Sequence, residues 1–334
     1  MRLAHLSSAL QLNLHHVAAI PLACVLGWIN PAYAQDSARA PATGTAASNQ
    51  AQSATANATA TTTTTTTTKG LFWEIKSGDK TVYMFGSIHL AKPDFYPLPK
   101  AVEAAYQRAE VLAVELDASA PGFQQKQAQH FTYAPPDKLQ NHLSAATWEQ
   151  LVDLIGPEAE ALQTLKPMPV ANALSLGMWQ KLGYEGRLGI DYHFIKQAKA
   201  DAKQIQEFET AEFMGQVLTS LSDADNDALL SSTLSAMKNG ELLQPFHDML
   251  QAWRNGDAKA LAKTLREMSS RDPGSEKMMK ALLDDRNILM AEKIIQLLQS
   301  GKPAFIVVGA GHMAGPKSIV DLLQKKGIQV SQIK

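Results

Sequence analysis

Phe305-Ile306-Val307-Val308-Gly309-Ala310-Gly311-His312 is an apolar β-type run that ends in Gly-x-x-His. Val82-Tyr83-Met84-Phe85-Gly86-Ser87-Ile88-His89 repeats the form near the other end of the chain. In each, β-branched and aromatic residues predict a buried strand, and the glycine marks its carboxyl end. Glycine lets the backbone turn sharply and leaves open space above it. Each histidine then falls just past a strand end, where open α/β sheets bind their ligands. Two such edges bring two imidazoles toward one pocket, an arrangement that suits a metal site or an acid–base pair.

Outward from these two strands, the folded part begins with a second β-type run, Leu71-Phe72-Trp73-Glu74-Ile75, and a Ser77-Gly78-Asp79 turn leads into the first Gly-x-x-His strand. That is a β-hairpin signature. A proline-rich loop follows His89, and Pro99 opens a helix expected to run to about Ala109. Val111-Leu112-Ala113-Val114 is a third strand, apolar throughout as in a sheet interior. From about 122 to 300 the pattern is mostly helical. Asp257 caps a run with Ala258, Leu261, Leu265 and Met268 at helical spacing. Only Gln204-Ile205-Gln206-Glu207-Phe208-Glu209 breaks it with a strand-like segment. After the second Gly-x-x-His strand come a helix near Lys317–Lys326 and a last strand from Ile328 to Ile333. The expected fold is therefore α/β, with a mixed central sheet built from both ends of the domain and a large helical insertion between them.

The first 68 residues stand apart. Val17 to Ile29 is an apolar run too short and proline-broken to span a membrane well, and Ala32-Tyr33-Ala34 gives a small-x-small cleavage pattern. Residues 1–34 are expected to be a signal peptide. Residues 35–68 are rich in Ala, Thr, Ser, Gln and Asn and end in eight consecutive threonines, Thr61 to Thr68, which predicts a disordered linker. Residues 69–334 are the expected domain. The one cysteine, Cys24, lies in the signal. Pro21 sits where a lipoprotein box prefers leucine, so cleavage after Ala34 is favoured over lipid anchoring at Cys24. The mature chain then has no thiol, which excludes disulfides, cysteine nucleophiles and thiolate metal sites. The expected location is outside the cytoplasm, periplasmic or secreted, with no transmembrane segment in the mature chain. A formal charge of −1 gives no electrostatic footprint for nucleic acid.

His89 and His312 are the first candidates for chemistry. Glu115 comes next, because a carboxylate at the end of the third strand projects near the same edge and can ligate a metal or act as a base. Asp117 is its competitor. Arg286 shares a helical stripe with Leu283, Met290, Ile294 and Leu297. A buried arginine needs an anionic partner: a structural carboxylate, a substrate group or a developing oxyanion. Glu209 ends its strand-like run, where it either faces the site or begins the next helix. Asp191 is read as a helix N-cap. His130, His142, His193 and His247 show no paired spacing and are read as ordinary residues.

Gly86-Ser87-Ile88-His89, Val114-Glu115-Leu116-Asp117, Gly189-Ile190-Asp191, Glu207-Phe208-Glu209-Thr210, Asp285-Arg286-Asn287 and Val308-Gly309-Ala310-Gly311-His312 follow in the order seen in the TraB/GumN family. From about residue 70 to the end the chain resembles that family. The family includes the animal Tiki proteins, regarded as metal-dependent proteases that use the paired Gly-x-x-His motifs with acidic residues. Its fold is related to erythromycin esterases and to the ChaN haem-binding proteins. The resemblance implies that His89, Glu115 and His312 occupy functional positions.

The leading expectation is a metal-dependent, peptidase-like hydrolase acting on a peptide or other acyl bond. His89, His312 and Glu115 would hold Mn²⁺, Co²⁺ or Zn²⁺; Glu115 or Glu209 would take a proton, and Arg286 would stabilise negative charge. The alternatives are a metal-independent, esterase-like hydrolase in which a histidine activates water, and a non-catalytic regulatory protein that binds a peptide or haem.

Overall fold

The structure, a computed structural model, describes residues 69–334. The expected signal peptide and linker lie outside the described residues. Strands β1 (Phe72–Ser77) and β2 (Lys80–Ser87) form the hairpin, with Ser77 opposite Lys80 across a two-residue turn. Gly78 takes φ +61° there, a left-handed conformation that glycine adopts without a steric penalty. Helix α1 (Lys100–Arg108) starts directly after Pro99, and β3 (Val111–Val114) is buried throughout.

Then comes the helical excursion: α2 (Phe123–Phe131), α3 (Ala145–Ile155), α4 (Pro167–Lys181) and α5 (Ile190–Ala200). It is interrupted by β4 (Gln204–Glu207), a short outer strand ending two residues before Glu209. It continues through α6 (Ala211–Leu218), α7 (Asp223–Asn239), α8 (Leu243–Arg254), α9 (Ala258–Ser269) and α10 (Pro273–Met279). Asp257 caps α9 as its position predicts, accepting from the backbone N–H groups of Lys259 and Ala260. One π-helical turn, Lys280–Asp284, leads into α11 (Asp285–Ser300).

The chain then returns to the sheet with β5 (Ala304–Gly309), fully buried, and ends with α12 (Ile319–Lys325) and β6 (Gln329–Ile333). Helix α12 begins two residues later than the sequence suggests. Lys317 has a left-handed φ of +60°, and the Ser318 side chain caps the helix from outside its first turn.

The six strands lie in the order β4-β3-β5-β2-β1-β6. Strands β4, β3, β5 and β2 run parallel, and β1 is antiparallel to both β2 and β6. The sheet is thus α/β and mixed, assembled from both ends of the domain as expected. Strand β5 is inserted between β3 and β2, its Val307 level with Val114 on one side and Phe85 on the other. That placement aligns the carboxyl ends of four parallel strands along one edge.

An aromatic core holds the edge in place. Phe194 of α5 packs on Phe305 of β5 at 4.9 Å between ring centroids and on Tyr106 of α1 at 5.2 Å. Trp253 of α8 is fully buried, stacks on Phe95 at 5.4 Å, and donates its Nε1–H to the Gly86 carbonyl at 2.7 Å. The last bond satisfies a carbonyl at the glycine where β2 ends, so packing and hydrogen bonding fix the same point. Among the described residues no helix is long and apolar enough to cross a membrane.

Candidate functional site

Glu115 follows β3 directly and is buried at the carboxyl edge of the sheet. Its Oε1 accepts the Gly309 N–H at the end of β5, and its Oε2 accepts from Nη2 of Arg286. Glu209 is brought alongside because pairing continues past β4: Phe208 N–H donates to the Val114 carbonyl and Glu209 N–H to the Glu115 carbonyl, both at 2.8 Å. Arg286 lies on the buried face of α11 with Met290, Ile294 and Leu297, in line with Leu283 of the preceding π-helical turn, as the spacing predicts. Its Nε and Nη2 meet the two Glu209 oxygens at 2.8 and 2.6 Å, a bidentate pair. Its Nη1 donates to the Leu282 carbonyl at 2.9 Å, within the π-helical turn. Of the partners left open by the sequence, the arginine has carboxylates, and two of them.

His312 sits in the 3₁₀ turn Ala310–Met313 that follows β5 and is fully buried. Its Nδ1 is 2.6 Å from Oδ1 of Asn287, the neighbour of Arg286 on α11. Its Nε2 lies 3.6 Å from Oε2 of Glu115 and has no hydrogen-bond partner among the described residues. Glu115, Glu209, Arg286 and His312 therefore form one connected buried cluster.

His89 stands two residues past β2, with Nδ1 at 3.0 Å from Oδ1 of Asp191. Asp191 is not the helix N-cap that its position in the sequence suggests. Gly189 is the N-cap of α5, and Asp191 is the second residue of the helix. Its carboxylate turns to the site, where Oδ1 also accepts from the Ser87 hydroxyl at 2.9 Å. The reason is close contact between the helix start and the His89 loop. Ile190 N–H donates to the Ile88 carbonyl at 3.0 Å, and a Cβ on Gly189 would come within 2.4 Å of the His89 carbonyl oxygen. Only glycine permits that approach.

Electrostatics follows from burial and these partners. Burial works to raise the Glu115 carboxyl, but His312 and Arg286 beside it prevail and hold it well below the ordinary carboxylate range. Burial works to lower the His89 imidazole, but the charge and hydrogen bond of Asp191 prevail and raise it. The two carboxylates keep Arg286 more firmly protonated than usual, against its burial. Among the described residues no group of three or more His, Cys, Asp or Glu is gathered as a metal cage.

Asp117 is used elsewhere: it binds the Ser119 backbone N–H at 2.9 Å and Nζ of Lys199 at 2.7 Å. His142 is not the unpaired residue its sequence context suggests. Its two ring nitrogens lie 2.9 Å from Asp137 and 2.9 Å from Asp223, and its ring stacks on Tyr133 at 4.2 Å. Spacing gives no sign of this, because Asp223 comes from the distant helix α7. Asn287 carried a detectable signal, since it lies four residues after Leu283 and so on the buried side of the same helical turn. The sequence alone marks no role for it or for Ser87.

A model of the TraB/PrgY/gumN family matches residues 71–332. The uncharacterized protein YbaP of Escherichia coli (strain K12) is 27% identical over 252 residues, which covers 74% of this chain and 89% of that protein. The uncharacterized protein YbaP of Shigella flexneri matches with the same identity and coverage. No solved structure matches.

Proposed function

The chain belongs to the TraB/PrgY/gumN family, and we propose that it is an exported hydrolase of peptide or other acyl bonds, metallopeptidase-like, with its site at the carboxyl edge of the sheet. One observation supports this reading above the others. Both imidazoles of the paired Gly-x-x-His motifs have a side-chain oxygen at Nδ1, Asp191 for His89 and Asn287 for His312. Such partners orient histidines whose other nitrogen serves as a ligand or base.

The donor chemistry fits a divalent cation such as Mn²⁺, Co²⁺ or Zn²⁺, with His89 and His312 to hold it and Glu115 beside them. Formal charges point the same way: Glu115, Glu209 and Arg286 leave one net negative charge in the buried cluster, which favours another cation. Glu115 is a strained choice as third ligand, because its oxygens already serve Gly309 and Arg286. When bound, a divalent cation supplies Lewis acidity and lowers the pKa of a water molecule. The protein's own groups do the rest. Gly309 and Arg286 keep Glu115 ionised and aimed. Arg286 couples Glu115 to Glu209 and engages both Glu209 oxygens, so Glu209 would take a proton by giving up one arm of that pair. Asp191 and Ser87 hold the His89 ring in one orientation.

A second reading, hydrolysis without a metal, rests on the His89–Asp191 pair. A carboxylate on Nδ1 raises the basicity of the imidazole and fixes its direction, as required of a base that activates water. Metal analysis of the purified protein, beside a His89→Ala, His312→Ala double variant, tests the first reading. Bound metal in the parent and little in the variant supports it, and equal, negligible metal in both sinks it. Cleavage of a peptide library with added Mn²⁺ or Co²⁺, repeated with chelator, separates the two. Activity that survives chelation favours the second.

A further inference from the structure

We infer that Asn287 is a positioning residue that sets which nitrogen of His312 carries the proton, and that the backbone of Lys317 in turn sets Asn287. The two ends of an asparagine amide differ, since the nitrogen only donates and the oxygen only accepts. Nδ2 of Asn287 lies 2.9 Å from the Lys317 carbonyl oxygen. A carbonyl cannot donate, so the amide nitrogen must be the end that faces it. The oxygen end is thereby turned to His312, where Oδ1 sits 2.6 Å from Nδ1. Oδ1 cannot donate either, so Nδ1 must carry the hydrogen. In the neutral ring the lone pair is then on Nε2.

This is not the tautomer that the rest of the pocket favours. Nε2 faces Oε2 of Glu115 at 3.6 Å, beyond hydrogen-bond range. With Glu115 as the only determinant, the ring would place its hydrogen on Nε2 and donate it to the carboxylate. Asn287 overrides that preference, so that in the neutral ring Nε2, and not Nδ1, is the nitrogen free to act as a base or as a ligand atom.

The anchor is itself held fixed. Lys317 adopts φ +60°, a conformation uncommon for a residue with a side chain. Its N–H donates to Asp321 at 2.9 Å, and its ammonium group pairs with Asp284 at 2.8 Å. The loop between β5 and α12 is thus tied both to α12 and to the residue before α11, and its carbonyl is aimed at an amide that is 2% exposed. This concerns the resting position of a proton, and it stands whether or not the protein proves to be a hydrolase.

Long-range ¹H–¹⁵N spectra of the full chain labelled with ¹⁵N-histidine, in alkaline buffer, test it. His312 is assigned by the signal that Asn287-intact His312→Gln protein lacks. The expected spectrum shows a protonated, pyrrole-type Nδ1 and an unprotonated, pyridine-type Nε2. Asn287→Leu should exchange the two types. Asn287→Asp should keep the parental order, because its carboxylate still accepts from Nδ1. If the leucine is not accommodated, Asn287→Ala provides the same comparison. A hydrogen on Nε2 in the parent protein, hydrogens on both nitrogens, or an unchanged order on removal of the amide would each overturn the inference.

Discussion

Nδ1 of His89 lies 3.0 Å from Oδ1 of Asp191, joining the loop after β2 to the first turn of α5. The same carboxylate accepts the Ser87 hydroxyl, so one aspartate orients the imidazole and is itself oriented from β2. This relation makes Asp191 part of the site, and it carries the first prediction.

Asp191→Asn keeps the size of the side chain but removes its charge. Peptide cleavage or metal affinity should fall roughly 10- to 100-fold, the usual effect of losing a partner behind a functional histidine. The folded state should remain, as judged by an unchanged circular dichroism spectrum. Activity and metal affinity equal to those of the parent would remove Asp191 from the site.

Arg286→Met leaves Glu115 and Glu209 buried together without their shared cation. Breaking a buried ion pair by removing one partner costs about 3–5 kcal/mol. Urea denaturation should show that loss at neutral pH. Arg286→Met, Glu209→Gln should recover part of it, since the second change removes one uncompensated charge. Full parental stability in the single variant would contradict the observed network.

Gly189→Ala places a methyl group within 2.4 Å of the His89 carbonyl oxygen. Overpacking of this kind costs about 1–3 kcal/mol. The backbone must move to accept it, and His89 moves with it. Stability and cleavage should therefore fall together, whereas Gly177→Ala, which meets nothing within 4 Å, should disturb no neighbour.

His142 gives the molecule a pH-dependent clasp between the loop before α3 and the start of α7. Burial works to lower this imidazole, but the hydrogen bonds it donates to Asp223 and Asp137 prevail and raise it. A histidine raised on folding adds stability that is complete below its unfolded value, about 6.5, and is lost as pH rises through the higher folded value. Melting temperature followed from mildly acidic to mildly alkaline pH should show this loss in the parent. His142→Gln should lower the acidic values and flatten that part of the profile. Identical profiles would contradict the prediction.

Much of the fold was legible in the sequence because it depends on local pattern. Apolar runs mark β1, β2, β3 and β5, bounded by glycine in β1, β2 and β5 and by carboxylates in β3, and helical spacing marks the excursion. The stripe Leu283, Arg286, Met290, Ile294 and Leu297 pointed to a buried arginine with an anionic partner, since a charged side chain is rarely buried unless paired. The paired Gly-x-x-His motifs likewise placed His89 and His312 at strand ends, and Glu115 followed from its position after β3.

What the tertiary structure decided is which of these groups touch. Strand β5 lies between β3 and β2, and that order puts the Gly309 N–H on Glu115 and His312 beside it. Pairing beyond β4 delivers Glu209 to Arg286, and the glycine-permitted approach at Gly189 turns Asp191 from an apparent helix cap into the partner of His89. Asn287 and His142 acquire their partners across helices and loops that no spacing rule connects. Residue type and period specify which surface of an element is buried, because that depends on transfer from water. They do not specify the partner found there, because a directional hydrogen bond requires that two separate elements bring their atoms within about 3 Å.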